Sequence, residues 1–177
     1  MVTVRLADPS EYRRVGILTI DAYRALPVDH LWGGYDDEIL DTAARAKHAD
    51  VLVAVVDEVV VGSVTYVSDP ASPWREWTEP GEVQFRLLAV APAARGSGAG
   101  GALVRACLAR AHAAQRTIVI HTTPWMDVAR GMYERLGFVR RPDRDVHYDV
   151  WNDPPVDELP PEWVGQAFLG YSWTPPG

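Results

Sequence analysis

Apolar positions along the chain follow two different periods. Alternation at Val2–Leu6 predicts a short first strand, and the β-branched runs Val51–Val56 and Val59–Val67, parted by Asp57-Glu58, predict a hairpin. Three more segments read as strands: Glu82–Val90, Thr117–His121, and Phe138–Arg140 with a continuation after Pro142 into Val146–Trp151. Gln166–Trp173 predicts a last one. Helical spacing appears at Val15, Leu18, Thr19, Ala22 and Leu26, preceded by a start signal in Asp8-Pro9-Ser10-Glu11 with Asp8 as N-cap and Glu11 closing a capping box. Asp36 is expected to cap a second helix carrying Ile39, Leu40, Ala43 and Lys47 on one side. A third runs from about Ala99 to Ala114, with Leu103, Cys107, Ala111 and Ala114 toward a sheet. A fourth covers Trp125–Leu136, with Val128, Ala129, Met132, Tyr133 and Leu136 on one face and Gly137 as its left-handed cap. The order β-α-α-β-β-β-α-β-α-β-β is that of an α/β fold with a mixed sheet.

The most informative stretch is Glu82–Leu103. A strand runs into the Pro/Gly turn Ala91–Gly98, and the turn opens a helix. Such a turn presents backbone N–H groups that no side chain blocks and aims a helix N-terminus at them, which is an anion site. Phosphate or pyrophosphate is the expected ligand; the alternative is a Gly-rich turn with no ligand. No Lys follows the glycines, so the turn is not a P-loop, and no ribose-binding acid stands about 20 residues on as a dinucleotide fold requires.

Length and charge narrow the picture further. The 177 residues fit one domain spanning 1–177, with 152–177 as an acidic, Pro-rich extension that includes the last strand. The net charge of −7 and the absence of a Lys/Arg cluster exclude nucleic acid as the expected partner, and the negative surface mildly favours a cationic one. Cys107 is the only cysteine, so no intrachain disulfide forms; it reads as a small core residue rather than a nucleophile. The N-terminus carries no apolar leader and no run is long enough to span a bilayer, so a cytoplasmic location is expected.

Arg95-Gly96-Ser97-Gly98-Ala99-Gly100 forms R-x-x-G-x-G after the L-x-V-x-P of Leu88-Ala89-Val90-Ala91-Pro92. This resembles the coenzyme A signature of the GNAT acetyltransferase superfamily. About 30 residues on, Ala129 to Phe138 resembles the family's A-x-x-x-Y-E-x-x-G-F segment. The resemblance covers roughly Val2 to Val150. It implies the GNAT acyltransferase fold: a mixed, mostly antiparallel sheet of six to seven strands, about four helices, and central strands that splay at a bulge. It also implies acetyl-CoA as co-substrate, no metal, and an amine acceptor on a small molecule or a protein, in a monomer or homodimer. By the same resemblance Leu88, Ala89 and Val90 line the pantetheine, the Val90 N–H meets the developing oxyanion, and Arg95, Gly96, Ser97, Gly98, Ala99 and Gly100 hold the pyrophosphate. Tyr133 matches the tyrosine that serves the departing thiolate; packing alone is the alternative. One departure is Met126, where the family often has a cofactor-contacting Asn.

Direct acetyl transfer needs an oxyanion donor, a route for the amine proton, and an acid for the sulfur. Some relatives carry a strand glutamate where Gln84 falls, and a glutamine cannot accept a proton. Glu82, one pleat away at about 7 Å, is read either as a base acting through a water or as a solvated strand-end charge. His121 is a second candidate, or a hydrogen-bonded structural group. The acceptor pocket is expected between the Pro27–Tyr35 and Ser68–Gly81 loops, where Trp32, Trp74 and Trp77 form an aromatic wall or cover the sheet edge. Two other readings stay open: a non-catalytic acyl-CoA-binding module, and a nucleotide-binding domain using the same turn.

Overall fold

In a computed structural model, which describes residues 1–26, 35–147 and 167–177, thirteen named elements surround a split sheet. They are β1 (Thr3–Leu6), α1 (Tyr12–Arg24), α2 (Tyr35–Leu40), α3 (Thr42–Ala46), β2 (Asp50–Val56), β3 (Val59–Val67), β4 (Gln84–Val90), α4 (Ala99–Ala113), β5 (Ile118–Thr122), α5 (Asp127–Arg135), β6 (Val139–Arg140), β7 (Val146–His147) and β8 (Ala167–Trp173). Trp32 and most of the first acceptor loop, the strand continuation past His147, the acidic segment 152–161 and Gln166 lie outside the described residues.

The antiparallel order β1-β2-β3-β4 forms one sheet, and β5-β8-β6 the other, with β7 also on β8. The two sheets meet at Val83, which pairs in parallel with Ile118. Val83 donates its N–H to the Thr117 carbonyl and accepts from the Val119 N–H, both at 2.9 Å. The central strand therefore starts at Gln84 rather than Glu82, and Val83 is the hinge from which β4 and β5 diverge.

The hairpin is as the sequence predicts. Asp57 and Glu58 both take positive φ, 46° and 65°, which matches the twist that a two-residue turn needs. The capping box also forms, with Asp8 accepting from the Ser10 N–H and Glu11 from the Asp8 N–H. It opens a short 3₁₀ turn at Pro9–Glu11 before α1 begins.

Three helical expectations are corrected. The single helix started by Asp36 is instead two short ones, because Asp41 interrupts it and caps α3 through the Ala44 N–H at 2.9 Å. Asp36 pairs with Arg24 instead. Val128 is 88% exposed rather than on the inner face of α5, and Ala114 is exposed just beyond α4.

Layers form on both sides of the sheets. Leu103, Val104, Cys107 and Ala111 of α4 pack with Phe85, Ile118, Ile120, Tyr133, Phe138 and Tyr171. On the other side Val15, Leu18 and Ala22 of α1 pack on Val51, Val53, Val60 and Ala89. Burial pushes the Cys107 thiol up to about 12, so it stays a neutral core group. Gly16 lets α2 close on α1: a Cβ there would meet the Leu40 carbonyl oxygen at 2.6 Å.

Candidate active site

Strand β4 does not alternate simply from face to face. Ser63 faces Ala89 while Thr65 faces Arg86, so two steps along β3 answer three along β4. The extra residue makes a bulge, and Leu87 adopts φ 52° to form it. As a result Phe85 and Leu88 belong to the α4 side, whereas Leu87 packs with Ile20 and Ile39 on the α1 side. Beyond the bulge the ladder regains register. The Ala91 N–H reaches the Val61 carbonyl at 2.8 Å, so Gly62 and Val90 are a non-hydrogen-bonded pair. The Val90 N–H therefore points away from β3, into the gap that opens toward β5.

The turn after β4 is built for an anion. Gly96 and Gly98 hold φ of 84° and 86°, and a Cβ on either would meet nothing within 4 Å. Both are in the left-handed region that favours glycine, and both face open space. Gly98 is the N-cap of α4, and the first bond into the helix is from the Ala102 N–H to the Gly98 carbonyl at 3.0 Å. The Gly100 and Gly101 amides precede that bond and are orphan donors among the described residues. The Ala99 N–H is taken by Ser97 Oγ at 3.3 Å. Arg95 ties the turn to α1 by donating to the Ala22 carbonyl at 3.3 Å. A Cβ on Gly100 would lie 3.5 Å from Val90 Cγ2 and 3.7 Å from Met132 Sδ, so turn, strand and α5 converge there.

Tyr133 packs on Phe85, two residues beyond the Val83 bridge that joins the sheets. It is held by the end of its own helix: the Phe138 N–H bonds the Tyr133 carbonyl and the Gly137 N–H that of Glu134, both at 3.0 Å, with Gly137 at φ 90°. This Schellman cap presses Phe138 onto Tyr133, ring centroids 5.7 Å apart. Phe85 lies 5.8 Å away and Tyr171 6.5 Å. The residue is only 6% exposed, and its hydroxyl has no hydrogen-bond partner among the described residues. Burial, with Cys107 nearby, pushes the phenol well above its ordinary value.

On the opposite face of β4, Gln84 is 4% exposed and acts as a clamp. Its Nε2 donates to the Trp74 carbonyl and its Oε1 accepts from the Glu76 N–H, both at 3.0 Å. Arg86 adds a bond to the Trp74 carbonyl at 3.2 Å, lies 5.9 Å from the Trp74 ring centroid, and pairs with Glu76 Oε1 at 3.0 Å.

The two sequence candidates for proton acceptance, Glu82 and His121, are both tied to Arg144. Its Nη1 and Nη2 reach the two Glu82 oxygens at 3.0 and 2.9 Å, and its Nη2 also donates to the Trp77 carbonyl at 3.1 Å. Glu82 Oε2 accepts further from the Glu79 N–H at 2.7 Å. Burial raises the Glu82 carboxyl, but these donors outweigh it and the net shift is downward. The Arg144 carbonyl meets His121 Nε2 at 2.9 Å. A carbonyl only accepts, so Nε2 carries the proton and Nδ1 the lone pair. Burial first, and the Arg144 charge after it, lower the His121 pKa against that hydrogen bond. Trp77 packs on His121 at 5.1 Å and on Phe168 at 5.3 Å, so it covers the sheet, while Trp74 lies by Arg86.

Sequence reasoning missed Arg144, Arg86 and Glu76. Arg144 carries no local signal, since it meets Glu82 across 62 residues. Arg86 was visible on the same face as Gln84; the loop that pairs with it was not. Among the described residues no group of three or more His, Cys, Asp or Glu is placed to hold a metal, and no helix is long and apolar enough to cross a membrane.

The sequence matches the family described as the acetyltransferase (GNAT) family over residues 15–138. No curated protein matches it. Among solved structures, a GNAT-family acetyltransferase of Brucella melitensis in complex with acetyl-CoA is 26% identical, with a TM-score of 0.58 over 78% of this chain and 83% of that one. A Salmonella typhimurium protein solved with its cofactor acetyl-CoA is 16% identical, with a TM-score of 0.69 over 100% and 95%. The ribosomal-protein-S18-alanine N-acetyltransferase of Escherichia coli is 12% identical, with a TM-score of 0.68 over 98% and 94%.

Proposed function

The chain belongs to the GNAT acetyltransferase family, and from that premise we propose that it moves an acetyl group from acetyl-CoA directly to an amine. One observation carries the reading. A gap opens at Val83, is lined by the outward N–H of Val90, and ends on a glycine turn with orphan amides. That arrangement fits a long ligand with an anionic end. The helix N-terminus and the Gly96–Gly101 backbone suit a pyrophosphate. Leu88, Ala89 and Val90 suit a chain laid along the strand edge. With the phosphates on the turn, the thioester end lies along the strand edge, where the Val90 N–H points into the gap, and its sulfur is directed to the Tyr133 side.

In this reading the neutral amine attacks the thioester carbonyl carbon. A C–N bond forms as the carbonyl electron pair moves onto oxygen, where the Val90 N–H stabilises it. Collapse breaks the C–S bond. The Tyr133 hydroxyl, which makes no hydrogen bond among the described residues, is the group assigned to the departing sulfur. A phenol titrates near 10 and a thiol near 8.5, and burial raises the phenol further. Tyr133 therefore acts by a hydrogen bond that strengthens as the thiolate forms, and the proton the sulfur finally keeps comes from the amine nitrogen. Glu82, with both oxygens engaged, has a holding role: it keeps Arg144 and the Trp77 segment against the start of β4.

Thermal denaturation with and without CoA, followed by thiol release from acetyl-CoA across an amine panel, tests the reading. Stabilisation by CoA together with amine-dependent thiol release is expected. A protein that CoA does not stabilise refutes it. Binding without turnover on any amine favours the non-catalytic acyl-CoA module.

A further inference from the structure

We propose that Glu76 takes the proton of the acceptor amine, and that the acceptor is accordingly a primary alkylammonium. The proposal rests on the acetyl-transfer reading and adds the group that makes the nucleophile. Gln84 stands where some relatives carry a strand glutamate, and its amide cannot accept a proton. Here that amide instead pins the Trp74–Glu76 segment by two hydrogen bonds. The consequence is that a carboxylate from the loop arrives at the face of β4 where the strand itself supplies none.

Two carboxylates flank Gln84, and they differ in what they have free. Glu82 accepts from Arg144 with both oxygens and from the Glu79 N–H as well. Glu76 gives Oε1 to Arg86, while its Oε2 accepts no hydrogen bond among the described residues and its side chain is 35% exposed. Arg86 immediately precedes the bulge residue Leu87 and lies three residues beyond Val83, where the chain is bridged to β5. Paired with Arg86, Glu76 therefore stands on the face of β4 opposite Phe85 and Tyr133. The proposal brings the amine to the thioester from that face.

The charges around Glu76 agree with the task. The groups that face it are Arg86 from β4 and Glu38 from α2. Burial raises its carboxyl, Arg86 pulls it back and Glu38 adds to the rise, leaving it above the ordinary value. A carboxylate so placed attracts a cation and is a stronger base than an exposed glutamate. The proton count closes. The ammonium gives one proton to Glu76, which passes it to water. The neutral amine attacks, and its second proton ends on the thiol sulfur. The amide product keeps the third.

The test is Glu76→Gln, assayed from pH 7 to pH 10 with the best primary alkylamine of the panel, together with CoA stabilisation of the variant. We expect unchanged CoA stabilisation and a kcat/KM lowered about 10²-fold at pH 7, the deficit closing as the alkylamine becomes neutral near pH 10. Glu76→Asp should recover part of the loss. A wild-type profile in Glu76→Gln overturns the assignment to Glu76 and leaves acetyl transfer standing. So does a deficit equal at all pH values with CoA stabilisation diminished, since that is displacement of the loop. A wild type that turns over only amines already neutral at pH 7, or that binds CoA and acetylates no alkylamine, also overturns it. Failure of CoA to stabilise the wild type is the separate result that removes the reading beneath it.

Discussion

Arg144 holds Glu82 by both carboxylate oxygens, at 3.0 and 2.9 Å, across 62 residues of sequence. Each side chain is only 14% exposed. Through this pair the segment after β6 is fastened to the start of β4, beside the hinge where the two sheets meet.

Breaking that pair from one side leaves a buried charge without its partner. Arg144→Ala should lower stability at pH 7 by about 3 kcal/mol, read from urea denaturation. Glu82 has a folded pKa below its unfolded one, so its contribution is complete above the unfolded value and is lost as pH falls through the folded value. Glu82→Gln should therefore cost stability at pH 7, and the difference from wild type should shrink as the pH drops below about 4. A gap between the two that stays constant down to acid would show that the charge is not what matters.

Gly98 separates folding from cofactor binding. A Cβ there meets nothing, but the left-handed backbone at φ 86° costs an L-residue roughly 1–2 kcal/mol. Gly98→Ala should fold with a modest loss, and Gly98→Val with a larger one, since a β-branched residue fits that region worst. In wild type, CoA at a hundredfold excess over Kd should add about 2.7 kcal/mol. That increment should shrink in Gly98→Ala and vanish in Gly98→Val, because the added carbons occupy the space the phosphates need. A folded Gly98→Val protein stabilised as fully as wild type would remove the anion site.

Much of the frame was legible because its signals are local. Turn chemistry at Asp57-Glu58, the capping box at Asp8 and the left-handed glycine at Gly137 each fix a few neighbouring residues, and such patterns are written contiguously. The glycine turn belongs to the same class. What escaped is non-local or has no distinct residue signature. Leu87 at positive φ is a leucine in a strand of apolar residues, and only its pairing with β3 reveals the bulge. Asp41 looks like one more acid in a helical stretch until the chain turns at it. Glu82 and Glu76 are indistinguishable as letters; Arg144 closes one and Gln84 carries the other to the strand face. Alternation placed Glu82 beside Gln84, while the partner that decides its chemistry lay far along the chain.

Tyr133→Phe removes a hydroxyl that makes no hydrogen bond among the described residues, and keeps the ring that packs on Phe85 and Phe138. Stability without cofactor should hardly change, since no bond is lost. If the hydroxyl serves the leaving sulfur, kcat should fall by roughly 10²–10⁴ while CoA affinity is retained. Unchanged kcat, with chemistry shown to be rate-limiting, would leave Tyr133 a packing residue.

His121 makes a prediction that separates structure from catalysis. Its Nε2–H donates to the Arg144 carbonyl and its ring meets Trp77 edge-on. Burial, joined by the Arg144 charge, lowers its pKa below the ordinary 6.5 despite that bond. The sign follows from proton uptake. Near and below pH 6.5 the unfolded chain binds a proton that the folded one resists, so stability is complete above that value and is lost as pH falls through the folded pKa. This loss begins well above the range in which Glu82 titrates, so the two are read apart in one pH series. His121→Gln keeps an N–H donor for the Arg144 carbonyl and removes the titration. Its denaturation midpoint should fall less than that of wild type between pH 7 and pH 5. Activity supplies the second readout: with the proton going to Glu76, His121→Gln should show no deficit that closes at high pH. If it shows one, as expected of a lost base, then Nδ1 of His121 takes the proton and Glu76 only attracts the cation.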